Sequence, residues 1–260
     1  MKLAAALLLT TSFLGCSGAS KMAEPTSSSR AEPNRAEAIV DEHLKRDAAP
    51  YRKDHIRFTV TEKGNAPEIT ELDVWRRQSG DVTTTLSVIT KPSEDAGTGS
   101  LTVDEKGKPA VVVTYAASRG EFRETDTGKM FIGGLTAQEL LGTWDKYDYK
   151  LIGERGNGFE VEGKLKDGQK SAIAMSRVVF DKDNYLPIEM NLFDNLEKKI
   201  RTYVVQEVKS ANGRPYIAKT VVTNHVYGAE ITIEVISREY PGNLDDALFT
   251  RERLKQTAPK

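Results

Sequence analysis

From His55 to Tyr240 the chain alternates apolar and polar residues in short runs. In HIRFTVTE, Ile56, Phe58 and Val60 alternate with Arg57, Thr59 and Thr61. ITELDVWRR sets Leu72 and Val74 against Glu71 and Asp73, and DVTTTLSVIT carries Val82, Leu86 and Val88 on one face. A period of two marks half-buried strands. AVVVTYA and EFRE continue it, then YDYKLIGE, GFEVEGKL, SAIAMSRVVFD, NYLPIEMNLFD, KKIRTYVVQEV, RPYIAKTVVTNHV and AEITIEVISREY. Turn-forming groups such as Gly156-Asn157-Gly158 and Asn212-Gly213 separate the runs, which predicts a long antiparallel meander. Helical spacing occurs in two places. NRAEAIVDEHLKRD puts Ala36, Ile39, Val40, His43 and Leu44 on one face before Pro50. GLTAQELLGTW has Thr136 and Glu139 spaced as a capping box, with Leu135 and Leu140 placed as a hydrophobic staple. Gly142 keeps this second helix short.

Strands of this kind bury one face and wet the other, so a long single sheet must curl over something. Two short helices are too little to cover it. The expected fold is mainly β: a strongly curved, barrel-like antiparallel sheet of some eleven strands, with the short helices plugging its mouth. Such a sheet can enclose an apolar cavity. Its candidate lining is Phe58, Val60, Leu72, Val74, Leu86 and Val88, and its candidate lid is Met130, Phe131, Leu140, Leu141 and Trp144. Alternation alone leaves two readings open. The interior either holds a ligand or is filled, and a filled barrel would be a non-catalytic structural or interaction protein. Trp75, in the polar phase of its strand, is either an exposed aromatic or a cross-strand packing residue.

The N-terminus adds a location. Leu3 to Leu14 is apolar after Met1-Lys2, about the length of a signal-peptide core and well short of the roughly 20 residues that span a bilayer. Phe13-Leu14-Gly15-Cys16 resembles the lipobox of bacterial lipoproteins, in which the cysteine becomes the lipidated first residue. A secretory signal cleaved later, after Ala19 for instance, is the alternative. Residues 1–15 are thus expected to be a lipoprotein signal peptide, 16–33 a lipidated Cys16 with a flexible tether, and 34–260 the folded domain. Each buried acyl CH₂ contributes about 0.8 kcal/mol, and two or more chains anchor a soluble domain stably. Ser17, by resemblance to lipoprotein sorting rules, points to the outer membrane, with the body facing the periplasm.

Charge and chemistry narrow the function further. Among 260 residues, 37 basic and 38 acidic side chains leave a net charge of −1, and no basic block suggests nucleic acid. The single cysteine allows no intramolecular disulfide. His43, His55 and His225 have no metal-ligand spacing, and neither a nucleophile elbow nor a phosphate loop occurs. Asp245-Asp246 reads as the cap of a final helical turn. We therefore expect no catalytic residues, no metal and no cofactor.

Five segments carry a family resemblance: MFIGGLTAQELL, KYDYKLIGE, VVFDKDNYLPIEMNLFDN, GRPYIAKTVVTNH and LDDALFTRERL. In order and spacing they are similar to the outer-membrane lipoprotein-sorting protein family, related to the carrier LolA and the receptor LolB. The resemblance spans Glu121 to Leu254 closely and Ile56 to Ser118 weakly. It departs at Leu196, where the family commonly has Gly after the turn, and at Gly133-Gly134. It implies an open, strongly curved half-barrel of about eleven strands with short helices as a lid, and a cavity for acyl chains of lipids or lipoproteins; a filled barrel would instead make this a non-catalytic structural or interaction lipoprotein of an envelope assembly. It further implies transfer to or within the outer membrane, with an inner-membrane transporter as a possible energy-supplying partner. A tethered Cys16 would make this body a fixed station, closer to LolB in role than to the free carrier LolA.

Overall fold

The computed structural model describes residues 34–108, 110–125, 132–136, 139 and 144–256. Cys16, the tether, Met130, Phe131, Leu140 and Leu141 lie outside them. Helix α1 (Arg35–Asp47) opens the domain; Asn34 caps it by accepting from the Ala36 amide at 3.1 Å. Thirteen strands follow: β1 (Tyr51–Thr61), β2 (Glu68–Ser79), β3 (Val82–Lys91), β4 (Gly99–Glu105), β5 (Val111–Ala116), β6 (Glu121–Thr125), β7 (Tyr147–Arg155), β8 (Gly158–Leu165), β9 (Met175–Asp181), β10 (Pro187–Phe193), β11 (Lys199–Ala211), β12 (Arg214–Asn224) and β13 (Ala229–Glu239). A 3-10 turn, Asp246–Phe249, leads into helix α2 (Arg251–Gln256).

All thirteen strands form one antiparallel sheet in the order β6-β5-β4-β3-β2-β1-β13-β12-β11-β10-β9-β8-β7. It is open, with β6 and β7 as its edges. The expected architecture holds, with thirteen strands rather than about eleven; β4 is the strand that the alternation did not reveal. Chain order and sheet order differ at one point. The chain meanders from β1 out to one edge, passes to the opposite edge, and meanders back until β13 pairs with β1. The connection between β6 and β7 must therefore cross the width of the sheet.

The crossing lies over the inner face at mid-sheet. Leu135, fully buried, packs with Phe58, Val60, Val222, Ala229 and Ile231 of β1, β12 and β13. Gly133 is obligatory there: its φ is +62°, and a Cβ would sit 2.6 Å from Ile231 Cγ1. Farther along the same face, Ala36, Ile39 and Val40 of α1 pack on Val161, Val178 and Phe180.

The outer face is not uniformly wet. Leu86, Val88, Leu101 and Tyr115 of β3, β4 and β5 cluster with Phe249 and Leu254 from the C-terminal segment. The register pairs Trp75 with Leu86 and Leu86 with Leu101, which puts all three on this covered outer side. Trp75 is accordingly a cross-strand packing residue. Both faces of the sheet are thus partly buried, one beneath α1 and the crossing, the other beneath α2.

Candidate functional site

The inner face of β1 reads Arg52, Asp54, Ile56, Phe58, Val60 in alternate positions. Polarity therefore falls steadily along a single strand. Antiparallel β2 matches it: Arg76 stands opposite Arg52, Val74 opposite Asp54 and Leu72 opposite Ile56. These strands form one wall of a cavity of about 250 Å³, with Ile233 from β13 and Ile132 from the crossing. The facing wall differs in chemistry. Thr83, Thr85 and Ser87 of β3 and Ser100 and Thr102 of β4 line the same space with hydroxyl-bearing side chains. Small-molecule sites are commonly mostly apolar clefts with a few placed polar groups, and this one fits that pattern.

The polar end opens into a second, larger cavity of about 590 Å³, which shares Arg52, Arg76, Thr83, Asp104 and Arg238. Asp54, 2% exposed, accepts from Arg238 Nε at 2.7 Å and Nη2 at 3.0 Å. Such a bidentate pair is what lets a carboxylate remain buried. Arg52 Nη1 lies 3.3 Å from Asp47 Oδ1, and Arg76 Nη1 lies 3.1 Å from Asp47 Oδ2. Burial alone would raise the Asp47 carboxyl, but Arg52, Arg76, His43 and Arg238 overcome it and hold it at about 2. Arg238 also stacks over the Tyr216 ring, 4.7 Å from its centroid. Across the mouth, Asp104 is raised, first by burial and then by Asp145.

A second polar cluster fastens the crossing to the sheet. Arg201, 5% exposed, donates to Gly134 O at 2.7 Å and to Asn224 Oδ1 at 2.8 Å. Asn224 Nδ2 in turn donates to Gly133 O at 3.1 Å. Glu139 forms the expected capping box: its Oε2 accepts from the Thr136 amide at 2.7 Å, while its own amide donates to Thr136 Oγ1 at 3.1 Å. Its Oε1 accepts from the Tyr203 hydroxyl at 3.3 Å and lies 3.4 Å from Arg201 Nε. Burial, and then Glu139, push the Tyr203 hydroxyl well above its ordinary value, which keeps it a donor.

The residues singled out in the sequence divide between several places. Phe58, Leu72 and Val74 line the smaller cavity. Val60 lies on the same face but is packed with Leu135. Leu86 and Val88 point to the opposite face, beneath Phe249 and Leu254, so the six do not share one cavity. Trp144 packs edge-on against His43 and beside Phe180, and it borders the larger cavity. The histidines stay apart: His43 is in that aromatic cluster, His55 pairs with Asp73, and His225 bonds Thr202. Burial holds His43 below its ordinary value. Asp245 caps the last 3-10 turn by accepting from the Ala247 amide at 2.9 Å. Among the described residues no group of three or more His, Cys, Asp or Glu is placed to hold a metal ion. The arginine cluster was missed. Its available signal was charge in the inward phase: Arg52 and Asp54 share parity with Ile56, and Arg76 with Val74.

Solved structures agree on the fold. A DUF1329 family protein from Desulfovibrio piger superposes with a TM-score of 0.78 at 17% identity, covering 85% of this chain and 99% of that one. A domain from Vibrio parahaemolyticus named for outer membrane lipoprotein sorting gives 0.77 at 16%, covering 85% and 98%. A LolA superfamily protein from Nitrosomonas europaea gives 0.69 at 11%, covering 84% and 98%. No curated protein matches the chain in sequence. The model of a family described as an uncharacterized protein family matches residues 81–256. That match spans more than half of the chain, which therefore belongs to this family and has the open, curved fold of the LolA superfamily.

Proposed function

We propose that this protein is a membrane-anchored, periplasm-facing binding module of the outer membrane. It holds acyl chains of lipids or lipoproteins on the inner face of its sheet for transfer to or within that membrane. The observation that carries the reading is the cavity walled by Ile56, Phe58, Leu72, Val74 and Ile233 beneath the crossing. The binding is non-covalent. Apolar surface leaves water at roughly 25 cal/mol per Å², and an acyl chain offers little else to grip. Release requires a second site that binds the chain better, because a ligand moves only down its free-energy difference. Lipidated Cys16 holds the domain at the membrane; Cys16→Ser is expected to move it to the soluble fraction.

The test is lipid uptake. Full-length protein should carry lipid detectable by mass spectrometry and take up a fluorescent fatty-acid probe. Val74→Asp puts a carboxylate on the apolar wall and should abolish uptake while leaving the far-ultraviolet circular dichroism of the sheet unchanged. Absence of both bound lipid and probe uptake in the unmodified protein would sink the reading.

A further inference from the structure

The acyl-chain reading says nothing about the other end of the ligand, and the charged end of the cavity bears on it. Arg52, Arg76 and Arg238 meet there. Two carboxylates answer them directly: Asp54, held by both Arg238 nitrogens, and Asp47, shared between Arg52 and Arg76. Three guanidinium groups against two carboxylates leave one positive charge over. Asp104 lines both cavities and faces this surplus, its carboxyl raised by burial and then by Asp145. The larger cavity also carries Asp81, Asp145, Lys106 and Glu139, the last beside Arg201. Two donors in the cluster remain unused. Arg52 Nε and Arg76 Nε are buried without a hydrogen-bond acceptor, although Arg52 Nε lies 3.1 Å from Asp54 Oδ2, out of line for a bond. Native interiors leave few such donors, so each calls for an explanation.

The layout supplies one. Arg52 and Phe58 lie six residues apart on one strand, roughly 20 Å along it at the usual rise. Along that line the wall passes from cationic to fully apolar, with Thr83 and Thr85 beside the cationic end. We propose that the cavity takes an amphiphile with an anionic head, a carboxylate or a phosphate. The head rests on Arg52, Arg76 and Arg238, and the acyl chain runs toward Phe58. This rests on the acyl-chain reading above and adds to it a choice of head group. Guanidinium groups favour both heads because their planar donors match paired oxygens.

The experiment is competition on purified full-length protein, with a neutral monoacylglycerol carrying a fluorescent acyl chain as probe. Competitors of one chain length differ only in the head: a fatty acid, a monoacylglycerol phosphate and an unlabelled monoacylglycerol. At least one anionic competitor should displace the probe about tenfold better than the neutral one, the size of a charge-assisted hydrogen bond; which one does so identifies the head. Arg76→Met should remove that advantage and leave the neutral competitor unchanged. Asp104→Asn should widen it, and loss of folding cannot produce that opposite sign. Equal displacement by all three heads, or weakening of neutral and anionic competitors alike in Arg76→Met, overturns the proposal. Displacement by inorganic phosphate alone, at the concentrations where the amphiphiles act, overturns it too by making the cluster a free-anion site. A probe that fails to bind at all overturns the acyl-chain reading itself.

Discussion

Arg201 offers a sharp test of how the crossing is held. Its side chain is buried, bonds the Gly134 carbonyl and Asn224, and lies beside the buried Glu139 carboxylate. Replacing it by Met keeps most of the volume and deletes the charge and all its donors. Glu139 then stays buried with its Thr136 and Tyr203 bonds but without a counter-charge. Removing one partner of a buried pair typically costs about 3–5 kcal/mol, whereas removing both is often close to neutral. The second substitution is available without collateral damage: Glu139→Gln keeps a side chain that closes the capping box. The assay is urea denaturation of Arg201→Met, Glu139→Gln and the double variant. Arg201→Met should lose about 3–5 kcal/mol, and the double variant should recover at least about 1 kcal/mol relative to it. Hydrogen exchange adds a local readout, because the Leu135 amide bonds the Ile132 carbonyl within the crossing and should exchange faster in Arg201→Met. Strictly additive losses, or a loss in Arg201→Met below about 1 kcal/mol, would refute the account of the crossing as pinned by a buried ion pair.

Other outcomes follow from the same geometry. Glu71 accepts from Lys91 and Arg57, which bring its carboxyl from 4.5 down to about 2. Its folded value is depressed, so its contribution is complete above pH 4.5 and lost as pH falls toward 2. The stability gap between Glu71→Gln and the unmodified protein should close across that window, and a gap that stays constant from pH 5 to pH 2 would contradict the assignment. Gly133→Ala should lower the denaturation midpoint sharply, through positive φ and the clash with Ile231, while Gly107→Ala, with positive φ and open space, should cost less. Equal shifts in the two variants would show that the crossing tolerates displacement. Leu254→Ala should cost about 2–5 kcal/mol by emptying the outer-face core, yet leave probe uptake unchanged at temperatures where the variant is folded. A selective loss of uptake would place Leu254 on the ligand's path.

The alternation in the chain carried most of the fold, because a period of two is imposed by the pleat and survives wherever one face is buried. It could not say which face was inside. In β3, Leu86 and Val88 are the apolar phase, yet they lie outside, because Phe249 and Leu254 cover them more than 150 residues later in the chain. Thr83, Thr85 and Ser87, the polar phase, line the cavity. Strand β4 escaped notice because Gly99 and Ser100 begin it, and Asp104 and Glu105 end it, around only three central residues. The arginine cluster is assembled from β1, β2 and β13, whose proximity depends on the closing β1–β13 ladder, and no local spacing encodes that pairing. The capping box at Thr136 was legible because its whole geometry is contained in four residues.

The strand order has a consequence for how the chain could be assembled. Twelve ladders join the thirteen strands, and all but the β1–β13 ladder join strands adjacent in the chain. Each half, β1 to β6 and β7 to β13, can therefore zip up through hairpins of low sequence separation, and joining the halves is the slow, non-local event. A circular permutant opened between β6 and β7, with α2 linked to α1, would leave only those two helices and their linker between β13 and β1. The one distant pairing would become much nearer in sequence, and the sheet should form faster. What such a chain would lack is the strap over the inner face. The natural order places the slowest pairing at the middle of the sheet, and in return ties a segment across the surface where the cavity lies.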